Sequence, residues 1–301
     1  MQILNKCKNN CKPMKILSFG EIVWDVYGEK STLGGAPLNL AIHAAMNGAD
    51  ASLVSAVGDD ALGDAAIECA KSYGVGVKYI SRIAGFETAK CTVSDDENGL
   101  PAYKLADVAA FDRICEPDTD KYTDVIAFGT LALRYENNRR VIDRMLDGIP
   151  HGEVFCDINL REPFYSEETV KYCLSKATII KVSDGELDTV FGYHSANVVE
   201  RKAAAEQLCG IYKNIRLFLI TLGSDGSLCF DVQSGNWYTC GAEKTDVVST
   251  VGAGDSFSAA FLVRLHGGCS VLACLEYAAH IGAMVCACDA AFSKDMMAVL
   301  R

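Results

Sequence analysis

The sequence predicts an α/β fold: a central, mostly parallel sheet flanked by helices, with a small antiparallel β lid beside it. Three observations carry that prediction. Short apolar, β-branched runs alternate with runs of helical period along most of the chain. One interval, 86–105, instead holds two strand-like runs with no helix between them. No repeat, linker or low-complexity stretch divides the chain, so 14–301 reads as one domain.

Residues 15–20 (KILSFG) read as a first, buried strand ending at a glycine. Residues 21–33 follow with a partly alternating Trp24-Asp25-Val26-Tyr27, then Gly34-Gly35-Ala36-Pro37. Pro37 suits a helix start, and 38–47 is helical with Asn39 on its first turn. The next strand is 52–57, Gly58-Asp59-Asp60 its turn, and 61–73 a helix with Leu62, Ala66 and Cys69-Ala70 on one face. Within 86–105, the runs 88–93 and 102–105 form a hairpin across the acidic loop 94–101. Together with 21–33 this hairpin makes a second sheet, a lid of about 21–33 and 86–106 that excludes water from a site.

The alternation then resumes. Strands 124–128 and 154–157 surround a helix at 136–146, and 178–182 is another strand. Ser183-Asp184-Gly185-Glu186 opens a helix, with Glu186 where a capping box places its carboxylate. Strand 215–221 leads through a turn at 222–226 into a hairpin of 227–230 and 235–240. The β-branched, apolar run 245–250 predicts a further buried strand. A helix then runs to Gly267-Gly268, a second long helix covers 271–287, and 290–301 is a tail.

Half of the 301 residues are hydrophobic, enough for a sizeable core. A formal net charge of −11 argues against nucleic acid or an anionic membrane surface as partner. No window approaches a membrane span, and 1–13 is polar and lysine-rich, unlike a signal peptide and expected to be a disordered leader. A cytoplasmic location follows as the expectation. Fourteen cysteines include no C-x-x-C pair, and most (Cys69, Cys156, Cys173, Cys209 and Cys274 among them) fall in apolar periodic runs. Reduced core thiols are expected over a metal site or disulfide framework.

The chemistry concentrates at Gly252-Ala253-Gly254-Asp255. A glycine turn opening a helix leaves backbone N–H groups unpaired at the positive end of the helix dipole. Such a corner receives phosphate or a developing oxyanion, and the missing Cβ atoms let an anion approach the main chain. Asp255 at its mouth is placed to take a proton from an attacking hydroxyl. A structural cap explains the same residues on their own, so a second motif is needed. No G-K-[ST] triplet and no G-x-G-x-x-G after a strand occurs, which excludes a Walker loop and a dinucleotide fingerprint.

The second motif is an ordered set: GGAPLN (34–39), VGDDALGD (57–64), DINLR (157–161), ITLGSDG (220–226) and STVGAGDSF (249–257). In this order they resemble the ribokinase/PfkB-family carbohydrate kinases across nearly all of 15–290, and within that family most closely fructokinases. The resemblance implies a ribokinase-like fold and ATP-dependent phosphorylation of a sugar primary hydroxyl, fructose before ribose, 2-keto-3-deoxygluconate or a nucleoside. It implies Asp255 as general base, with Gly252, Ala253 and Gly254 offering N–H groups to the phosphoryl. Asp25, Gly34, Gly35, Asn39 and Arg161 fall to the sugar, and Thr221, Gly223, Gly226 and Ser183 to the nucleotide. Glu186 would place Mg²⁺ through water, and the lid would pair two subunits into a homodimer.

Two positions depart from the family pattern. Ser249-Thr250 stands where Asp-Thr is usual, which puts a monovalent-cation site in doubt. Ser183 replaces the Asn of N-x-x-E while Glu186 is kept. A reading of another class is a sensor of sugar or nucleotide on the same scaffold, since a fold does not fix a function.

Overall fold

The computed structural model describes residues 12–28, 30–95, 101–191 and 197–300, so most of the expected leader and of the acidic loop 94–101 lie outside them. In chain order the strands of the main sheet are β1 (Lys15–Phe19), β4 (Asp50–Gly58), β5 (Ile80–Ile83), β8 (Thr123–Gly129), β9 (His151–Asp157), β10 (Ile179–Ser183), β11 (Leu217–Thr221), β12 (Ser227–Asp231) and β13 (Asn236–Cys240). They lie in the order β13-β12-β11-β10-β9-β8-β1-β4-β5. All pairings from β11 to β5 are parallel, and the last hairpin adds two antiparallel strands at one edge.

Such strands are buried on both faces because helices connect them. The helices are α1 (Ala36–Met46), α2 (Ala61–Ser72), α3 (Glu136–Gly148), α4 (Glu167–Lys176), α5 (Asp184–Phe191), α6 (Val198–Ile211), α7 (Ala253–His266), α8 (Val271–Cys286) and α9 (Lys294–Leu300). Two apolar layers result. Alternate residues of β1 show the division: Ile16 joins the layer under α1, α7 and α8, while Leu17 and Phe19 join the layer under α3, α4 and α6.

The smaller sheet comprises β2 (Val23–Tyr27), β3 (Lys30–Gly34), β6 (Ala89–Asp95) and β7 (Pro101–Leu105), in the order β3-β2-β6-β7. The hairpin β6–β7 is the expected one; 21–33 itself folds into a second antiparallel hairpin, β2–β3, and a parallel contact between β2 and β6 joins the two in a sheet expected to be antiparallel. Asp60 ties this sheet to the main one. Its carboxylate caps α2 through Gly63 N–H at 2.8 Å and takes hydrogen bonds from the Thr88 N–H (2.8 Å) and hydroxyl (2.7 Å).

The run 245–250 is not a strand. Val247 and Val248 are 64% and 62% exposed, and the Val248 and Ser249 N–H groups donate to the Cys286 carbonyl instead of a ladder. β-Branched composition favours extended backbone, but the segment bonds the C-terminal end of helix α8 and does not join the sheet beside β13. Strand β5 and helices α4 and α6 were not expected from the pattern, and the tail contains α9. Cys156, Cys173, Cys209 and Cys274 are buried free thiols and Cys69 is half-buried, while Cys269 is disulfide-bonded, a departure from the reduced state expected.

Candidate active site

From β1 the chain moves one way to β4 and β5, then returns to fill β8, β9, β10 and β11 on the other side. In an open parallel sheet that reversal leaves a crevice at the carboxyl ends of the flanking strands. Here the crevice opens between β1 and β8. A cavity of about 20 Å³ lies there, lined among others by Ser18, Glu21, Thr130, Asp157, Asn159 and Asp255.

Helix α7 ends at this crevice. Gly252, its N-cap, has φ +79°, and a Cβ there would lie 2.5 Å from the Ala291 Cβ. Glycine is required on both counts. No side chain caps the helix, and the Ala253 N–H turns back to the Thr250 carbonyl at 3.2 Å. Gly254 and Asp255 have no acceptor one turn earlier, so their N–H groups are the open donors of the turn.

The carboxylate of Asp255 meets Asn39, which donates through Nδ2 to Oδ2 at 2.7 Å across 216 residues. Asn39 is 4% exposed, and its Oδ1 has no partner, leaving an acceptor for a hydroxyl. Burial pushes the Asp255 carboxyl above its ordinary range, while the Asn39 bond and the charges of Lys181 and Arg161 oppose it. Asp25, half-buried on β2, is raised by burial and lowered by Arg161. Gly34 lies against it, a Cβ there being 3.4 Å from Asp25 Oδ2. Gly35 has φ +113°, and a Cβ would lie 2.5 Å from the Glu21 carbonyl. Arg161 is exposed and faces Glu21, Asp25 and Asp255 electrostatically. Of the residues expected at the sugar, Asn39 bonds Asp255 directly, and Arg161 faces both Asp255 and Asp25.

The nucleotide-side residues gather at the neighbouring strand ends, where Ser183 and Thr221 are register partners. Gly223 (φ +55°) and Gly226 (φ +102°) shape the turn after β11, and Gly226 packs against the Cys240 carbonyl. The expected capping box is present: Ser183 N–H donates to Glu186 Oε2 at 2.8 Å, and Glu186 N–H to Ser183 Oγ at 3.3 Å. Glu186 Oε1 accepts the Leu160 N–H at 2.7 Å. Both oxygens hold a backbone donor and keep one lone pair each, which suits contact with Mg²⁺ through water. Among the described residues no group of three or more His, Cys, Asp or Glu could hold a metal ion by itself. Mg²⁺ in kinase sites rests mostly on the substrate's phosphates, so this sparse donor set fits it.

Sequence reasoning passed over two residues. Lys181 is buried and donates to Asp157 Oδ2 at 2.6 Å, with its Nζ 3.3 Å from where a Gly254 Cβ would stand. Burial disfavours its charge, but Asp157, Glu186 and Asp255 together raise it. A lysine inside the apolar strand IIKVS was the readable signal. Glu21 is 4% exposed and its Oε2 has no partner. It follows the glycine that ends β1, and only the closed fold reveals its burial.

This is an α/β phosphotransferase arrangement: an open helix N-terminus at a sheet switch point with a carboxylate beside it. The chain belongs to the pfkB family of carbohydrate kinases, whose model matches residues 6–294. It is an ATP-dependent sugar kinase. Fructokinase-2 of Solanum habrochaites is 27% identical over 305 residues, covering 91% of this chain and 89% of that protein. An ATP-dependent 6-phosphofructokinase of Thermoanaerobacterium thermosaccharolyticum is 25% identical over 289 residues, covering 88% and 85%. The structure of Vibrio cholerae O395 fructokinase in its fructose-, ADP- and calcium-bound form superposes with a TM-score of 0.80 at 20% identity, covering 95% and 98%. No helix among the described residues is long and apolar enough to cross a membrane.

Proposed function

We propose that this kinase phosphorylates fructose at its 6-hydroxyl with ATP. The observation that carries the reading is the 2.7 Å bond from Asn39 to Asp255 beside the open turn of α7. Asn39 orients the carboxylate and presents its free Oδ1 to a sugar hydroxyl, and Asp25 with the bare backbone of Gly34 and Gly35 holds further hydroxyls. Asp255 takes the proton of the reacting hydroxyl as its oxygen attacks the γ-phosphorus. The bond to the β-phosphate oxygen breaks with its electron pair leaving on ADP. The N–H groups of Gly252, Ala253 and Gly254 fall to the phosphoryl in the family reading; in this geometry those of Gly254 and Asp255 face it most openly.

Mg²⁺ on the phosphates, with Glu186 reaching it through water, would neutralise their charge. Thr221, Gly223, Gly226 and Ser183 line the nucleotide. The smaller sheet covers the sugar, and its outer face joins two copies of the chain. Relatives named fructokinase support the choice of fructose, and the relative named 6-phosphofructokinase makes fructose 6-phosphate the competitor to exclude.

The test is a coupled ADP-release assay over fructose, fructose 6-phosphate, ribose, 2-keto-3-deoxygluconate and adenosine. The highest kcat/KM is expected for fructose, and any other ranking removes that assignment. Asp255→Asn is expected to bind sugar and lose ~10² to 10⁴ in kcat. Thermal stabilisation by sugar and nucleotide without ADP from any substrate would identify a sensor instead.

A further inference from the structure

Two buried carboxylate oxygens in the crevice are without hydrogen-bond partners: Glu21 Oε2 and Asp157 Oδ1. Their residues are 4% and 6% exposed. Both line the same cavity of about 20 Å³ as Asp255. That volume admits about one water, and a water there needs two or more polar partners to be stable. A lone acceptor oxygen so buried is costly unless something donates to it.

We infer that Glu21 is the second proton acceptor of the site: a water in this cavity carries to its Oε2 the proton that Asp255 takes from the sugar. The inference rests on Asp255 being the base. In the first step the sugar O–H breaks, its oxygen bonds the γ-phosphorus, and the proton moves to Asp255. In the second, the Asp255 O–H gives its proton to the water, which passes one of its own to Glu21. Asp255 is again ionised and the water is unchanged. The proton leaves Glu21 for solvent when product departs.

Asp157 is the weaker candidate for the terminus, because its other oxygen is held by Lys181 at 2.6 Å; it orients the water. The groups facing Glu21 agree with this assignment. Burial is the largest influence and brings its carboxyl up to about 7, with Asp255 from α7 adding to the rise. Arg161, after β9, and the main-chain N–H groups of Glu21 and Ala36 oppose it. Asp157 is brought only to about 6 by its burial. The lysine held on Asp157 and the unpartnered Oε2 of Glu21 therefore make Glu21 the terminus.

The alternative role for Glu21 is purely structural, its carboxylate serving the start of α1, where Gly35 offers no side-chain cap. Glu21→Gln separates the two. It keeps an acceptor for the Ala36 N–H but takes no proton. The relay predicts a steady-state kcat lowered about tenfold, less than the ~10² or more expected on losing the base itself, with the single-turnover rate of phosphoryl transfer near native. The KM for sugar should stay within about twofold, since ground-state contacts are kept. Because Glu21 must be ionised to take the proton, its replacement should also move the acid limb of kcat to lower pH. A wild-type rate and pH profile in Glu21→Gln overturns the relay. Asp255→Asn assayed beside it keeps the readings apart: if that variant also turns over normally, the base assignment has failed first. A second measurement needs no variant. Steady-state kcat of the native enzyme in mixed light and heavy water should bow with deuterium content, as for the two protons that move together when Asp255 is reset. A straight line overturns the inference.

Discussion

Gly252→Ala isolates what the corner at the start of α7 demands. Two separate penalties act there. A residue with a Cβ at φ +79° pays the left-handed cost of ~1–2 kcal/mol. The Cβ would also stand 2.5 Å from Ala291 Cβ and 3.0 Å from its Cα, an overlap that the backbone must relieve by moving. Overpacking of that kind costs ~1–3 kcal/mol, so the variant should lose about 2–5 kcal/mol in equilibrium urea unfolding. Relief requires the turn to shift, and misplacing the open N–H donors by about 1 Å should lower kcat by ~10²-fold. Ala291→Gly in the same chain removes the 2.5 Å overlap with the Cβ but neither the 3.0 Å approach to the Cα nor the dihedral cost. The double variant should therefore recover about 1–3 kcal/mol of coupling and much of the lost kcat. Gly252→Ala with near-native stability and kcat, or a double variant showing no coupling, would refute the account of why glycine stands there.

Three further outcomes follow from the same geometry. Asn39→Ala removes a bond that lowers the Asp255 carboxyl, so the acid limb of kcat/KM should move to higher pH. Sugar KM should rise about tenfold through the lost Oδ1 contact, as measured by steady-state assay. Lys181→Met strands Asp157 as an unpaired buried charge and should cost ~3–5 kcal/mol, with Asp157→Asn in that background restoring part of it in urea unfolding. The pH dependence of stability has two opposing arms. His43, held neutral at about 4 by burial against 6.5 when unfolded, contributes fully above pH 6.5 and is lost as pH falls toward 4. Glu21, raised to about 7 from 4.5, contributes fully below pH 4.5 and is lost as pH rises through 7. Glu21→Gln should therefore gain stability relative to the native chain at pH 8 but not at pH 4, by urea unfolding at each pH.

Much of this was legible in the sequence because local pattern and tertiary need agreed. The GAGD turn and the GGAPLN segment each announce a special backbone, and φ values of +79° at Gly252 and +113° at Gly35 bear that out. The capping box Ser183–Glu186 formed as written. Where the two disagreed, the sequence misled. Val247 and Val248 have strand chemistry but no strand to pair with, a fact set by the order of nine strands and not by neighbours in the chain. Helix α6 begins with a readable Asn197-x-x-Glu200 box, but its buried face is Ala204, Ala205, Leu208 and Cys209, mostly small side chains that give little contrast in an apolar pattern. Glu21 and Lys181 acquire their chemistry from burial contributed by distant segments. No window of sequence contains it.

The partnership of Asn39 with Asp255 joins the first fifth of the chain to the last. During synthesis on a ribosome the donor amide of Asn39 emerges some two hundred residues ahead of the carboxylate it must hold. Every nascent form shorter than 255 residues lacks the carboxylate altogether.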